Sequence, residues 1–163
     1  MTINKELKNK VEEDSVVIEG IVIDIVAKQT QEIDDYILKI KRVLEEDSED
    51  LTLDDLNRIM IRLCSYAYFL TSKQELMGIR QDISEAIKAE RYNTAYMNIN
   101  VGTVAKKTAE ANEAVKEEAV IALIYSRVYK ILKGKYESTN RMIDAVKKVV
   151  SARLQTMQLG LKE

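Results

Sequence analysis

The residues best able to do chemistry in this chain are cations interleaved with tyrosines. Arg127, Lys130, Lys133, Lys135, Arg141, Lys147, Lys148 and Arg153 fall in one stretch. Residues 121–162 hold 9 Lys/Arg against 2 acids, Glu137 and Asp144. Tyr125, Tyr129 and Tyr136 lie among them. Side-chain cations neutralise phosphates, and aromatic faces stack on bases whatever their sequence, so this combination suits single-stranded nucleic acid. A solvated helix face with tyrosines at the margin of a core is the other reading of the same residues. A smaller set, Lys88 and Arg91 with Arg80 upstream, invites the same two readings, with local pairing such as Glu85 to Lys88 as the plain one.

Other chemistry is excluded by composition. The chain has no histidine and one cysteine, Cys64, so zinc sites built on His and Cys, Ser-His-Asp and Cys-His catalysis, and any internal disulfide are ruled out. Carboxylate-bridged di-iron bundles also need histidines. No Gly-rich phosphate loop or nucleophile elbow occurs. The acidic run Glu45–Asp50 lacks the alternating oxygen ligands and central glycine of a calcium loop and reads as a solvated loop. Cys64, between Leu63 and Tyr68 on an apolar stripe, reads as a small buried hydrophobe, and Tyr66, Tyr68 and Phe69 read as packing residues. The expectation is a non-enzymatic protein without cofactor or metal.

Charge is distributed unevenly along the 163 residues. Residues 1–50 carry 7 Lys/Arg against 14 Asp/Glu, residues 51–100 carry 6 against 6, and residues 101–163 carry 12 against 7. An acidic first third and a basic last third point to self-assembly through opposite charges or to an anionic partner for the basic end. No signal peptide is legible, and no apolar run approaches the roughly 18 residues of a membrane span. With a lone cysteine, the expectation is a cytoplasmic protein that avoids the membrane.

These side chains must be positioned by helices. There is no proline, where average usage of about 5% would give roughly eight, and only 5 glycines occur. Helices can therefore run without interruption. Apolar residues recur mostly at spacings of three and four: Leu53, Leu56, Met60, Leu63, Ala67, Leu70, then Leu76, Ile79, Ile83 and Ile87 before the joint, and after it Val115, Ala119, Leu123, Val128, Leu132, then Ile143, Val146, Val150, Leu154, Met157 and Leu161. That periodicity predicts two long helical arms. They are joined at Asn98–Thr103, where Asn and Gly leave helical geometry cheaply and Thr103 caps the next helix. Thr52-Leu-Asp-Asp55 reads as a capping box opening the first arm. Thr71-Ser72 and Gly78 are weak points, Gly134 reads as a kink or a close helix contact in the second arm, and Gly160 as its end. Ala119–Leu132 is the most apolar stretch and the expected centre of the core.

The segment from Val16 has the β-branched content of a strand. A single helical stripe nonetheless runs from Ile18 through Val22, Val26, Ile33, Tyr36 and Ile40 to Leu44, so we read it as helix, with Ser15 as its cap. The expected fold is all-α. Three or more long antiparallel helices form an elongated hairpin or bundle, with an acidic N-terminal helical segment (1–50) and a helical hairpin core (51–163) ending in a basic arm. So much apolar stripe on an elongated chain leads us to expect a homo-oligomer.

Several segments together resemble the UvsY-type recombination mediators of tailed phages: Tyr66-Ala-Tyr-Phe-Leu-Thr-Ser-Lys73, Lys88-Ala-Glu-Arg-Tyr-Asn-Thr-Ala-Tyr96, Gly102-Thr-Val-Ala-Lys-Lys-Thr-Ala-Glu-Ala111, Tyr129-Lys-Ile-Leu-Lys133, and a terminal helix with Ile143 and Lys147. The likeness covers roughly Leu53–Gly160 and rests on spaced apolar and basic positions. It implies an all-helical, ring-like homo-oligomer that binds single-stranded DNA and helps a RecA-like recombinase replace a single-strand-binding protein. The family's Lys-Ala-Arg-like basic pair is matched at Lys88-Ala89, with Glu90 where a basic residue is expected and Arg91 next. On this reading Lys88, Arg91, Lys130, Lys133, Lys147 and Lys148 are the phosphate contacts. The alternative is a regulatory protein, such as a phage inhibitor of a host system, that binds a protein partner through an apolar helix face.

Overall fold

The computed structural model describes residues 5–46 and 51–160, with side chains at 12–43 and 51–160. Four helices follow in order: α1 (Lys5–Glu46), α2 (Leu53–Asn98), α3 (Val104–Ala114) and α4 (Lys116–Gly160). There is no strand among the described residues, so the fold is all-α as periodicity predicts. None of these helices is long and apolar enough to cross a membrane.

Helix ends follow local chemistry. At the start of α2 the capping box is complete. The Asp55 amide donates to Thr52 Oγ1 at 3.1 Å, and the Thr52 amide donates back to Asp55 Oδ2 at 3.1 Å. Asp54 and Asp55 in the first turn also face the positive end of the helix dipole. Beyond α2, Gly102 takes φ +138°, a conformation that side chains disfavour. Thr103 then caps α3 by accepting from the Lys106 amide.

Several expectations about helix boundaries are corrected. Helix α1 begins at Lys5, so Ser15 is not a cap; its hydroxyl donates to the Glu12 carbonyl from within the helix. Periodicity from Ile18 onward could not show this, because the preceding charged turns carry no apolar stripe. Glu45 and Glu46 end α1, and the rest of the acidic run lies outside the described residues. The second arm breaks at Val115 rather than Gly134. Val115 leaves helical geometry at φ −117°, ψ 18°, its amide donating to Asn112 and Glu113 carbonyls. The break buries both Ala111 and Val115, and Glu117 and Glu118 fall in the first turn of α4, where acids are favoured. Gly134 lies within α4 with open space where a Cβ would stand. Thr71 and Ser72 do not interrupt α2 either; the Thr71 hydroxyl donates to the Ala67 carbonyl one turn back.

The chain forms two compact units, and α1, α2 and α4 each contribute to both. Unit 1 comprises Met1–Val26 and Gln74–Ile131. Its core holds Val22, Val26, Met77, Ala111, Val115, Ala122, Ile124 and Val128. Here α2 and α4 run antiparallel, since Gln74 reaches Tyr129, Arg80 lies over Tyr125, and Arg91 pairs with Glu118. A Cβ on Gly78 would stand 3.3 Å from the Tyr129 ring, so the glycine marks a close approach.

Unit 2 comprises Ala27–Lys73 and Leu132–Glu163. Ile40, Leu56, Leu63, Ala67, Ile143 and Val146 form its buried cluster, with Tyr36, Met60, Tyr136 and Val150 packed around it. Full burial of a Leu or Ile side chain contributes roughly 1.5–3 kcal/mol, so this cluster is a main source of unit 2 stability. Polar clamps tie the helices together. Lys73 donates to the Gln29 carbonyl at 2.6 Å, Lys135 meets Asp34 at 2.5 Å, and Arg153 donates to the Leu51 carbonyl. Asp34 is also held by the Thr30 hydroxyl at 2.8 Å.

The apolar stripes are not single faces. Leu56, Leu63, Ala67 and Leu70 are buried, whereas Leu76, Ile79, Ile83 and Ile87 are exposed, at 56%, 53%, 54% and 49%. The step of six residues from Leu70 to Leu76 turns the stripe by roughly 120° at 3.6 residues per turn. The core continues instead through Gln74, Met77 and Ser84. Cys64 is exposed, contrary to expectation, because its neighbours Leu63 and Ala67 hold the inward face. Tyr66 packs on Tyr36 with ring centroids 5.4 Å apart, but Tyr68 and Phe69 point outward. Within the expected core centre, Ala122, Ile124, Val128 and Leu132 are buried while Val120, Ile121, Leu123 and Ile131 are exposed.

Candidate nucleic-acid interface

In unit 1 a groove of about 830 Å³ runs between α2 and α4, lined by Glu85, Lys88, Ala89, Tyr92 and Asn93 from one helix and Ala119, Ala122, Leu123 and Ser126 from the other. Small residues on α4 open the space. Lys88, Tyr92 and Tyr96 follow at i, i+4 and i+8 on α2, so they share one helix face. The Tyr92 and Tyr96 rings stack, with centroids 6.2 Å apart and planes 22° from parallel. Lys88 makes no ion pair among the described residues, and Glu85 accepts from Gln81 at 3.2 Å rather than from Lys88. The groove therefore offers one unengaged ammonium group, the Tyr92 ring on which Tyr96 stacks from beyond the lining, and the polar side chains of Asn93 and Ser126. Such a set can hold a phosphate beside a stacked base.

The six cations singled out from the sequence divide between the units. Lys88, Arg91 and Lys130 belong to unit 1; Lys133, Lys147 and Lys148 belong to unit 2. Arg91 is engaged by the buried carboxylate of Glu118. Lys147 lies 3.5 Å from Asp144, both exposed. Lys130, Lys133 and Lys148 are exposed and make no ion pair among the described residues. Two other basic residues of the same arm have structural partners, Lys135 on Asp34 and Arg153 on Leu51.

The tyrosines of α4 are half-buried. Tyr129 accepts from Gln74 at 3.4 Å, Tyr125 lies under the Arg80 guanidinium at 5.9 Å, and Tyr136 packs on the unit 2 cluster. Their role is packing. The stacked pair Tyr92–Tyr96 is the aromatic element that sequence reasoning did not single out, although its spacing of four from Lys88 was a usable signal. No group of His, Cys, Asp or Glu able to hold a metal ion occurs among the described residues. Comparison with protein-family models, with curated proteins and with solved structures finds no match.

Proposed function

We propose that this chain is a homo-oligomeric recombination mediator of the UvsY type. It binds single-stranded DNA and assists a RecA-like recombinase in replacing a single-strand-binding protein. The observation that carries the DNA reading is the groove lined by unengaged Lys88 and by Tyr92, whose ring stacks on Tyr96. Lys130, Lys133 and Lys148 add exposed positive charge on α4. Binding of this kind rests on phosphate neutralisation and stacking, so it is tolerant of base sequence and weakens with salt.

The test is fluorescence anisotropy of a labelled single-stranded oligonucleotide at low and physiological salt, with duplex as the control. Salt-dependent preference for the single strand is the expected result. Absence of binding at low salt overturns the reading and favours a regulatory protein that docks a protein partner. The exposed apolar residues Val16, Val17 and Ile23 of α1 support that second reading.

A further inference from the structure

Helix α2 carries two apolar faces in unit 1. One, through Met77, is buried against the unit's own core. The other, Leu76, Ile79, Ile83 and Ile87, is about half exposed at every position. At 100° per residue the two faces point roughly 120° apart. The outer face is thus turned away from the helix's buried side, and the described residues of unit 1 leave about half of it open.

Its margins carry opposite charge. Glu75 and Asp82, seven residues apart, border one side, and both are exposed. Arg80 borders the other, its guanidinium over the Tyr125 ring. Leu76 and Ile83 are likewise seven apart, which keeps a seam in contact with a neighbouring helix. We propose that this face pairs with the same face of a second copy of the chain, the two α2 helices running parallel and in register. A parallel two-fold brings the acidic margin of each helix against the basic margin of the other, so Glu75 of each copy faces Arg80 of the other twice over. An antiparallel two-fold would set Glu75 and Asp82 against the copy's own acidic margin, where like charges repel.

The pairing rests on the self-association part of the proposed function and is independent of its DNA part. Sedimentation velocity is run on the full chain without nucleic acid, from micromolar to tens of micromolar. Assembly is expected, and Ile79→Lys with Ile83→Lys should return the mass to that of a monomer with unchanged helical circular dichroism. The orientation is read separately. In a Cys64→Ser background, Ile83→Cys should give a disulfide-linked dimer on mild oxidation, because parallel register sets the two cysteines opposite each other. A monomeric wild type overturns both the pairing and the oligomeric mediator. Assembly that survives the double lysine variant overturns this face alone. Loss of assembly in that variant without disulfide formation by Ile83→Cys overturns the parallel register.

Discussion

Arg91 of α2 and Glu118 of α4 form an ion pair of unequal burial, their side chains 61% and 10% exposed. One carboxylate oxygen of Glu118 is fully buried and finds no hydrogen-bond partner, so the guanidinium is the charge that offsets a desolvated acid. Arg91→Gln should therefore destabilise the protein by about 1–3 kcal/mol, the penalty for leaving a buried polar group unsatisfied. Glu118→Gln introduced beside it should recover most of that loss, as an uncompensated buried charge is removed. Denaturant melts of the two single variants and the double variant check this; an additive double variant would mean that the pair is not coupled.

The start of α2 should be acid-sensitive in a defined direction. The Thr52 hydroxyl, and then its amide, hold the Asp55 carboxyl below its ordinary value by hydrogen bonding. A carboxyl with a depressed folded pKa stabilises the fold above its unfolded value, about 3.9. It loses that contribution as pH falls through the lower folded value. Thr52→Val removes the stronger donor, so it should lower the melting temperature at neutral pH, and its deficit against the wild type should shrink as pH falls through the folded value. Thermal melts between neutral and strongly acidic pH would show the two curves converging.

Two helical glycines should respond differently to alanine. Gly134 has open space where a Cβ would stand, so Gly134→Ala should stabilise by about 1 kcal/mol through backbone propensity alone. At Gly78 the new methyl would press on Tyr129 at 3.3 Å, and the ring is further held by Gln74. Gly78→Ala should gain less than Gly134→Ala or lose stability. Equal shifts in melting temperature would show that the ring yields freely.

Neighbouring lysines of α4 should separate binding from stability. Lys135 is clamped to Asp34, whereas Lys133, two residues before it, is exposed and unengaged. Lys135→Met should lower the melting temperature and leave the salt dependence of oligonucleotide binding unchanged. Lys133→Met, and Lys88→Met in the unit 1 groove, should flatten that dependence with little effect on melting. Anisotropy titrations and melts on the same three variants check the division.

Much of the fold was legible because its signals are local. The capping box at Thr52 and Asp55, the joint at Gly102 and Thr103, and the α1 stripe through Val22, Ile33 and Ile40 all follow from near-neighbour chemistry. The Val115 break was not legible, since no glycine or proline marks it and the burial of Ala111 and Val115 that accompanies it is a matter of tertiary packing. The exposure of Cys64 and of the Leu76–Ile87 face depends on which side of a helix meets a partner, and spacing alone leaves that open. Only the six-residue step after Leu70 hinted at it. In the candidate interface the cations were legible as a class. Which of them are engaged was not, because Glu118 and Asp34 lie far from Arg91 and Lys135 in sequence.

The two units have a consequence for how the chain can be divided. Their boundaries, at Val26, Lys73 and Ile131, all fall inside helices. Each unit is assembled from stretches that are remote in sequence, so a single cut at any boundary severs a run of i to i−4 hydrogen bonds and frees no intact unit. A protease acting at Val101, in the link between α2 and α3, would split the chain into two fragments. Both units would then hold segments from each fragment, so the halves would stay together through packing alone. Complementation between separately expressed fragments is accordingly better aimed at that link than at any unit boundary.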